Sequence, residues 1–207
     1  MTRAESFSSD LTYLRDLAEA GQNAPLLGGR FLAMWGGLVS LAYLAHYSIS
    51  QGLFGLQPPA FWILWLGFAV TGGTGQVLLN RAMHEKPGQA SAGNRVQSVL
   101  WKAAGLFMFV YFTGVIARIF VTGEGIEGLY WSVPMVLGIY GIGQFVTGAV
   151  SGQPALKFAG IAAFLGVIAA VFLTGTEYIW LVGSASAFVA VFVPGLMMMR
   201  AEPAETV

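Results

Sequence analysis

The chain has 207 residues, of which 56% are hydrophobic and only 10% are charged, and its formal net charge is zero. A soluble domain carries about 25% charged residues, so this composition leaves too few charges to cover a water-facing surface. The charge balance indicates no nucleic-acid partner. The absence of cysteine excludes disulfides and thiolate metal sites. We therefore expect an integral membrane protein whose immediate partner is the lipid bilayer.

Residues 1–29 are polar and are expected to form a cytoplasmic N-terminal segment. Within it, SSDLTYLRDLAEAG offers a serine N-cap and a run of apolar residues on one face: Leu11, Leu14, Leu17 and Ala18. This pattern predicts a short amphipathic helix that lies along the membrane interface or caps the bundle. The alternative is a docking helix for a cytoplasmic protein partner. Because the charges on its polar face are mixed, attraction to anionic lipid should be weak.

Six apolar segments follow, at about residues 31–50, 60–80, 99–121, 129–150, 155–174 and 178–199. Each is close to the roughly 20 residues that a bilayer-spanning helix needs. Each is also far longer than the ~10 residues of a barrel strand. The sequence therefore predicts an all-α integral membrane fold with one six-helix domain over residues 30–200 and a cytoplasmic tail at 201–207.

The basic residues orient this bundle. Nine of the ten fall on one side of the six-span arrangement: Arg3, Arg15, Arg30, Arg81, Lys86, Arg95, Lys102, Lys157 and Arg200. Only Arg118 falls towards the other side. We expect the protein to lie in the inner membrane of the cell. Since Lys and Arg concentrate in cytoplasmic loops, both termini are expected in the cytoplasm.

The six spans are predicted to form three repeated helical hairpins. Each returning helix begins with aromatic residues, Trp180 among them, which are expected to lie at the membrane interface. Two of these helices later carry Gly-x-Gly-Gln, as GTGQ at 73–76 and GIGQ at 141–144. The third has VPGL at 193–196. Small residues allow close helix packing in lipid, and stripes of them are predicted to pack neighbours: Gly67, Thr71 and Gly75; Ala162, Gly166 and Ala170; Gly143 and Thr147.

Gln76 and Gln144 lie inside apolar spans, where an amide needs a hydrogen-bond partner. The first interpretation is that they bond neighbouring helices. The second is that they line a polar cavity between hairpins.

A second group of polar residues is predicted at the outer rim: His46, Arg118, Glu124, Glu127 and Glu177. Ionisable groups in or near spans are often functional, so they form a candidate polar site. The alternative for Arg118 is a salt bridge or a side chain that reaches to water.

No metal, cofactor or catalytic site is predicted. The two histidines, His46 and His84, are expected on opposite membrane faces and cannot share an ion. Glu124 and Glu127 are neighbours in a glycine-rich loop that faces water, and the glycines around Gly73 lack the lysine of a phosphate loop.

The segments GRFLAMWGGLVSLAYLAHY, WKAAGLFMFVYFTG, YWSVPMVLGIYGIGQFVTGAV and VFVPGLMMMR together resemble a family of six-span bacterial membrane proteins with no established biochemical role. The hairpin arrangement is more remotely similar to acid-resistance membrane proteins of the HdeD type. Neither resemblance implies catalytic residues, and a shared fold does not carry function. We expect a non-enzymatic structural or regulatory protein that acts through partners; the alternative is a small transporter or channel for a neutral or weakly polar solute.

Overall fold

The computed structural model describes residues 10–16, 25–56, 59–83, 91–123 and 126–201. Within these ranges are six helices long and apolar enough to cross a membrane, in agreement with the sequence. We number them α1 (Gly29–Ser50), α2 (Pro59–Met83), α3 (Ala92–Thr122), α4 (Ser132–Val150), α5 (Pro154–Phe172) and α6 (Tyr178–Ala201). Short 3-10 turns at Leu53–Gly55 and Ile126–Leu129 precede α2 and α4.

The first and last helices pack at backbone distance. A Cβ added at Gly36 of α1 would lie 2.5 Å from the backbone nitrogen of Phe192 in α6. A Cβ added at Gly195 of α6 would likewise collide with the backbone nitrogen of Ala33 in α1. Glycine is required at both positions because only a residue without a side chain permits this approach.

α4 and α5 form a second close pair. A Cβ at Gly148 would lie 2.7 Å from the backbone nitrogen of Lys157, and one at Gly160 would lie 2.8 Å from the carbonyl oxygen of Gly141. α6 contacts α1, α4 and α5, so these four helices form the core of the bundle.

α2 and α3 lie at the periphery. In the most apolar 18-residue stretch of each helix, 6% of α2 and none of α3 is buried, against 33 to 56% in the other four. Among the described residues, α2 packs on α1, and α3 packs on α4 and the 3-10 turn before it. The predicted stripe on α2 is wrong for Gly67 and Thr71, which are exposed, whereas Gly166 and Ala170 of α5 are buried as predicted.

α3 begins earlier than the sequence suggests. The predicted span starts at residue 99, but the helix starts at Ala92 after Ser91, whose side chain accepts a hydrogen bond from the backbone N–H of Asn94. This N-cap explains the early start. The two buried residues of α3, Asn94 and Gln97, both lie in this added polar turn.

Of the predicted N-terminal helix, residues 10–16 are helical and exposed. The proposed serine cap and the apolar residues Leu17 and Ala18 lie outside the described residues.

Candidate functional site

Gln144 joins α4 to α6 in the centre of the bundle. Its side chain is fully buried, and Nε2 donates a hydrogen bond of 2.9 Å to the carbonyl oxygen of Ala190. This carbonyl is four residues before Pro194, which has no N–H to offer it. The side chain of Gln144 therefore supplies the donor that the proline lacks.

The same region of α6 departs from α-helical geometry. Residues Phe188–Phe192 form a π-helical segment, and the N–H of Val193 bonds to the carbonyl of Phe188, five residues earlier. The wider turn lies near the middle of α6, and Ala190 is inside it. Such segments are frequent at functional sites.

Gln76 joins α2 to α1 in a different way. Its Oε1 accepts a hydrogen bond of 2.8 Å from the indole nitrogen of Trp35, and its Nε2 donates to Asn80 at 3.2 Å. The Trp35 ring lies over Gly72, where an added Cβ would come within 2.5 Å of it. Each glutamine therefore bridges two helices. Their partners differ, and no hydrogen bond among the described residues links the two glutamines.

Four buried polar atoms of α3 and α4 have no hydrogen-bond partner within the described part of the chain. They are Gln97 Nε2, Trp101 Nε1, Gln144 Oε1 and Thr147 Oγ1. We refer to these four residues as the polar seam. Gln97, Gln144 and Thr147 are 4%, 0% and 1% exposed.

Packing places these four residues close together. The Trp101 ring covers Gly143, where an added Cβ would lie 2.8 Å from it. Gln144 is the next residue along α4. Gln97 precedes Trp101 by one turn and Thr147 follows Gly143 by one turn. Since one turn rises about 6 Å and successive spans run in opposite directions, both are displaced towards the same end of the bundle.

The polar seam is closed at the predicted cytoplasmic end by residues 25–28. Asn94 Oδ1 accepts a hydrogen bond of 2.8 Å from the N–H of Leu27, and its Nδ2 donates to the carbonyl of Pro25 at 2.9 Å. The amide of Gln97 lies against Gly28, where an added Cβ would be 2.5 Å from its nitrogen. This segment leads into α1 and lies against the start of α3.

His46 lies in an aromatic cluster at the opposite end of the bundle. Its ring is 3.8 Å from that of Trp180 and 4.6 Å from that of Phe61, centroid to centroid. Its Nδ1 accepts a hydrogen bond of 3.1 Å from the indole nitrogen of Trp65. Because an indole N–H can only donate, Nδ1 carries no proton, and the ring N–H of neutral His46 is on Nε2.

Glu177 lies beside this cluster, immediately before α6. Its two carboxylate oxygens accept hydrogen bonds from the hydroxyl of Tyr130 at 2.6 Å and from the indole nitrogen of Trp180 at 3.1 Å. The structure thus brings His46 and Glu177 together through Trp180. Trp180 is 2% exposed, so it packs inside the bundle instead of lying in an interfacial belt.

Arg118 lies on an exposed face of α3. Glu124 and the side chain of Glu127 fall outside the described residues. Convergence of these three residues with His46 and Glu177 stays a prediction.

Among the described residues, no group of three or more His, Cys, Asp or Glu side chains could hold a metal ion. An apolar groove of about 220 Å³ lies between α3 and α4. Its lining contains no polar side chain: Leu100, Ala103, Ala104, Phe107, Ile139, Ile142 and Gly143.

The sequence analysis did not predict a role for Gln97 or the π-helical segment. It named Thr147 only as a small packing residue and not as a buried polar group. Two signals could have found them. Gln97 precedes Trp101 by one helical turn, which places an amide and an indole on one face. Pro194, deep in the last span, implied an unpaired carbonyl four residues earlier.

Comparison with known proteins found no matching family model, no matching curated protein and no matching solved structure. The resemblance to a six-span bacterial family therefore stays a prediction.

Proposed function

We propose that this chain is a multi-pass protein of the bacterial inner membrane with a non-enzymatic structural or regulatory role, exercised through a protein partner at its N-terminal helix. The observation that carries this proposal is the exposure of apolar side chains in residues 10–16. Leu11, Tyr13 and Leu14 are 57%, 67% and 58% exposed. Leu11 and Leu14 are three residues apart and share one helix face.

Charge favours a protein over the lipid surface as the occupant of this face. Residues 10–16 contain Asp10, Asp16 and Arg15, so the acidic groups outnumber the basic one. Interfacial helices that bind anionic lipid are instead rich in Lys and Arg on their polar face. A partner that offers an apolar groove with a basic rim fits this helix.

A photo-crosslinking amino acid at position 13 tests this proposal in native membranes. We expect one protein adduct of constant mass, lost when Leu11 and Leu14 are both changed to Ser. The control variant Asp10→Asn should retain it, because the apolar face is intact. Adducts with lipid alone, or a protein adduct that survives the double serine change, would refute a docking role.

One observation favours the alternative function, a transporter or channel for a neutral or weakly polar solute. The π-helical segment Phe188–Phe192 interrupts α6 near its middle, and Gln144 bonds to a carbonyl inside it. Transport sites are commonly built from interrupted helices near the bilayer midplane. In proteoliposomes, a transporter should carry glycerol or urea faster than protein-free vesicles. Gln144→Leu should change that flux and Gln76→Leu should not.

The three-hairpin repeat also belongs to the proposal. Contacts between α1 and α2, between α3 and α4, and between α5 and α6 support it. So does the packing of Trp35 on Gly72 in the first pair and of Trp101 on Gly143 in the second.

The proposed orientation has a direct test, since the natural chain contains no cysteine. Thr176→Cys should react with a membrane-impermeant thiol reagent added outside intact cells. Ser91→Cys should react only after the membrane is opened. The reverse labelling pattern would place both termini outside.

A further inference from the structure

The polar seam presents an energetic problem, because no group in the described part of the chain pairs with its four buried polar atoms. A buried donor or acceptor without a partner destabilises the fold, and buried polar groups in folded proteins are as a rule paired with protein, water or ligand. Here four such atoms lie on two contacting helices. The four residues lie within about one helical turn of the contact between Trp101 and Gly143, which points to one shared site.

The hydrogen-bonding pattern of the seam defines the chemistry of that occupant. Gln97 Nε2 and Trp101 Nε1 are donors, and Thr147 Oγ1 can donate or accept. Gln144 Oε1 is an acceptor, and its assignment is secure because Nε2 of the same amide already donates to Ala190. An occupant must therefore accept hydrogen bonds at one side and donate at the other.

The charges around the polar seam indicate whether its occupant is neutral or ionic. The basic residues nearest in sequence to Trp101 and Gln97, Lys102 and Arg95, are both exposed. The buried polar residues of the described chain include no Asp, Glu, Lys or Arg. An ion here would lack a countercharge in a low-dielectric site, which is costly.

We propose that the polar seam is a binding site for a small neutral molecule that both donates and accepts hydrogen bonds, either ordered water or a small polyol such as glycerol. A buried water makes about three hydrogen bonds to groups of this kind. The site depends on neither a docking partner nor transport, and it would exist in a purely structural protein. Residues 25–28 cover it from the predicted cytoplasmic side, held by Asn94.

NMR of the full chain in lipid nanodiscs tests the proposal directly. Tryptophan labelled with ¹⁵N gives one indole N–H signal for each ring, and Trp101→Phe identifies the signal of interest. We expect a cross-peak from the Trp101 indole proton to water or to added glycerol. Trp35 is the matched control, because its indole nitrogen donates to Gln76 and should show no such cross-peak.

Glycerol distinguishes the two sources. If water is the ligand, the water cross-peak persists and glycerol causes no saturable shift at Trp101. If a polyol is the ligand, glycerol shifts the Trp101 signal saturably and leaves that of Trp35 in place. Either result supports the site.

The variant Thr147→Val provides a second test, because the direction in which the unfolding equilibrium constant changes depends on whether the site is occupied. Valine keeps the shape of threonine and removes the hydroxyl. If an occupant bonds to Thr147, the unfolding equilibrium constant should rise about five-fold, the factor that corresponds to about 1 kcal/mol. The control Thr113→Val removes an exposed hydroxyl that donates to the carbonyl of Phe109, and should change the constant less than about two-fold.

A dry seam would give the opposite result, because removing an unpartnered hydroxyl relieves a cost. The proposal is overturned if Trp101 shows no cross-peak to water or glycerol while Thr147→Val leaves the unfolding constant unchanged or lowers it.

Discussion

The motifs GTGQ at 73–76 and GIGQ at 141–144 are nearly identical in sequence, yet the environments of their first and last residues differ. In the first, Gly73 is exposed, and the carbonyl oxygen of Gln76 accepts a bond from Trp35 at the edge of the bundle. In the second, Gly141 is buried, and the amide nitrogen of Gln144 serves a backbone carbonyl in the core. The same motif thus bonds the peripheral helix α2 to α1 in one case, and in the other it donates to a carbonyl of the interrupted central helix α6.

The difference arises from the neighbours and not from the motif. Among the described helices α2 packs on α1 alone, so Gln76 has one partner outside its own helix, Trp35, and part of its surface remains exposed. α4 contacts α3, α5 and α6, and its glutamine meets the carbonyl that Pro194 leaves without a donor. A motif in a membrane helix therefore indicates a capacity for hydrogen bonding, and the packing decides which atom is used.

The largest expected difference is between the variants Gly141→Ala and Gly73→Ala. A methyl group at Gly141 would collide with the Phe164 ring, and such overpacking costs about 2 kcal/mol of unfolding free energy. A Cβ at Gly73 meets no atom within 4 Å. Alanine there should be neutral or stabilise by up to ~1 kcal/mol through helix propensity.

Reversible unfolding in mixed micelles would measure both changes. Equal losses of stability at the two positions would show that the two motifs occupy equivalent environments, contrary to the structure.

A smaller effect is expected for Gln144→Leu, at about 1.5 kcal/mol, near the upper end of hydrogen-bond values measured in membranes. The cause is the carbonyl of Ala190, which loses its donor. Pro194→Ala restores a backbone N–H four residues after Ala190, so Gln144→Leu should cost less in that background. A double-mutant cycle measures this coupling, and strictly additive effects would contradict the assigned role of Gln144.

The smallest effect is expected for Gln76→Leu, at about 0.5 kcal/mol. Trp35 would lose its acceptor, but this pair is only partly buried, so water or lipid headgroups can replace it. Indole fluorescence should report the change, because the Trp35 nitrogen becomes exposed to solvent. A loss as large as that for Gln144→Leu would remove the distinction between the two motifs.

Much of the fold was accessible from the pattern of residues. The number of long apolar helices follows from span length and the scarcity of charge, and the structure agrees with it. The start of α3 was predicted seven residues late, because Asn94 and Gln97 look like loop residues when hydropathy alone is considered. Ser91 caps the helix at this point, and Asn94 also bonds to residues 25 and 27, almost seventy residues earlier in the chain, a contact that hydropathy cannot indicate.

The candidate site was accessible only in part. Helix bridging was the first of two interpretations of Gln76 and Gln144, the other being a polar cavity. Their partners were not predicted, because Trp35 and Ala190 are 41 and 46 residues away. His46 and Glu177 were grouped at one end of the bundle. Trp180, which lies between them, was expected at the membrane interface because aromatic residues near span ends usually lie there.

The sequence by itself determined that the described residues include six helices long and apolar enough to cross a membrane, with few charges inside them, since this property depends on local composition and length. Tertiary packing alone decided that α2 and α3 would be peripheral, that Gln144 would bond to the carbonyl of Ala190, and that four buried polar atoms of α3 and α4 would have no hydrogen-bond partner among the described residues. The physical reason is the separation along the chain over which each effect acts. Hydropathy acts residue by residue, whereas a hydrogen bond between helices depends on which faces meet, and that is set by close contacts of glycines far apart in the chain.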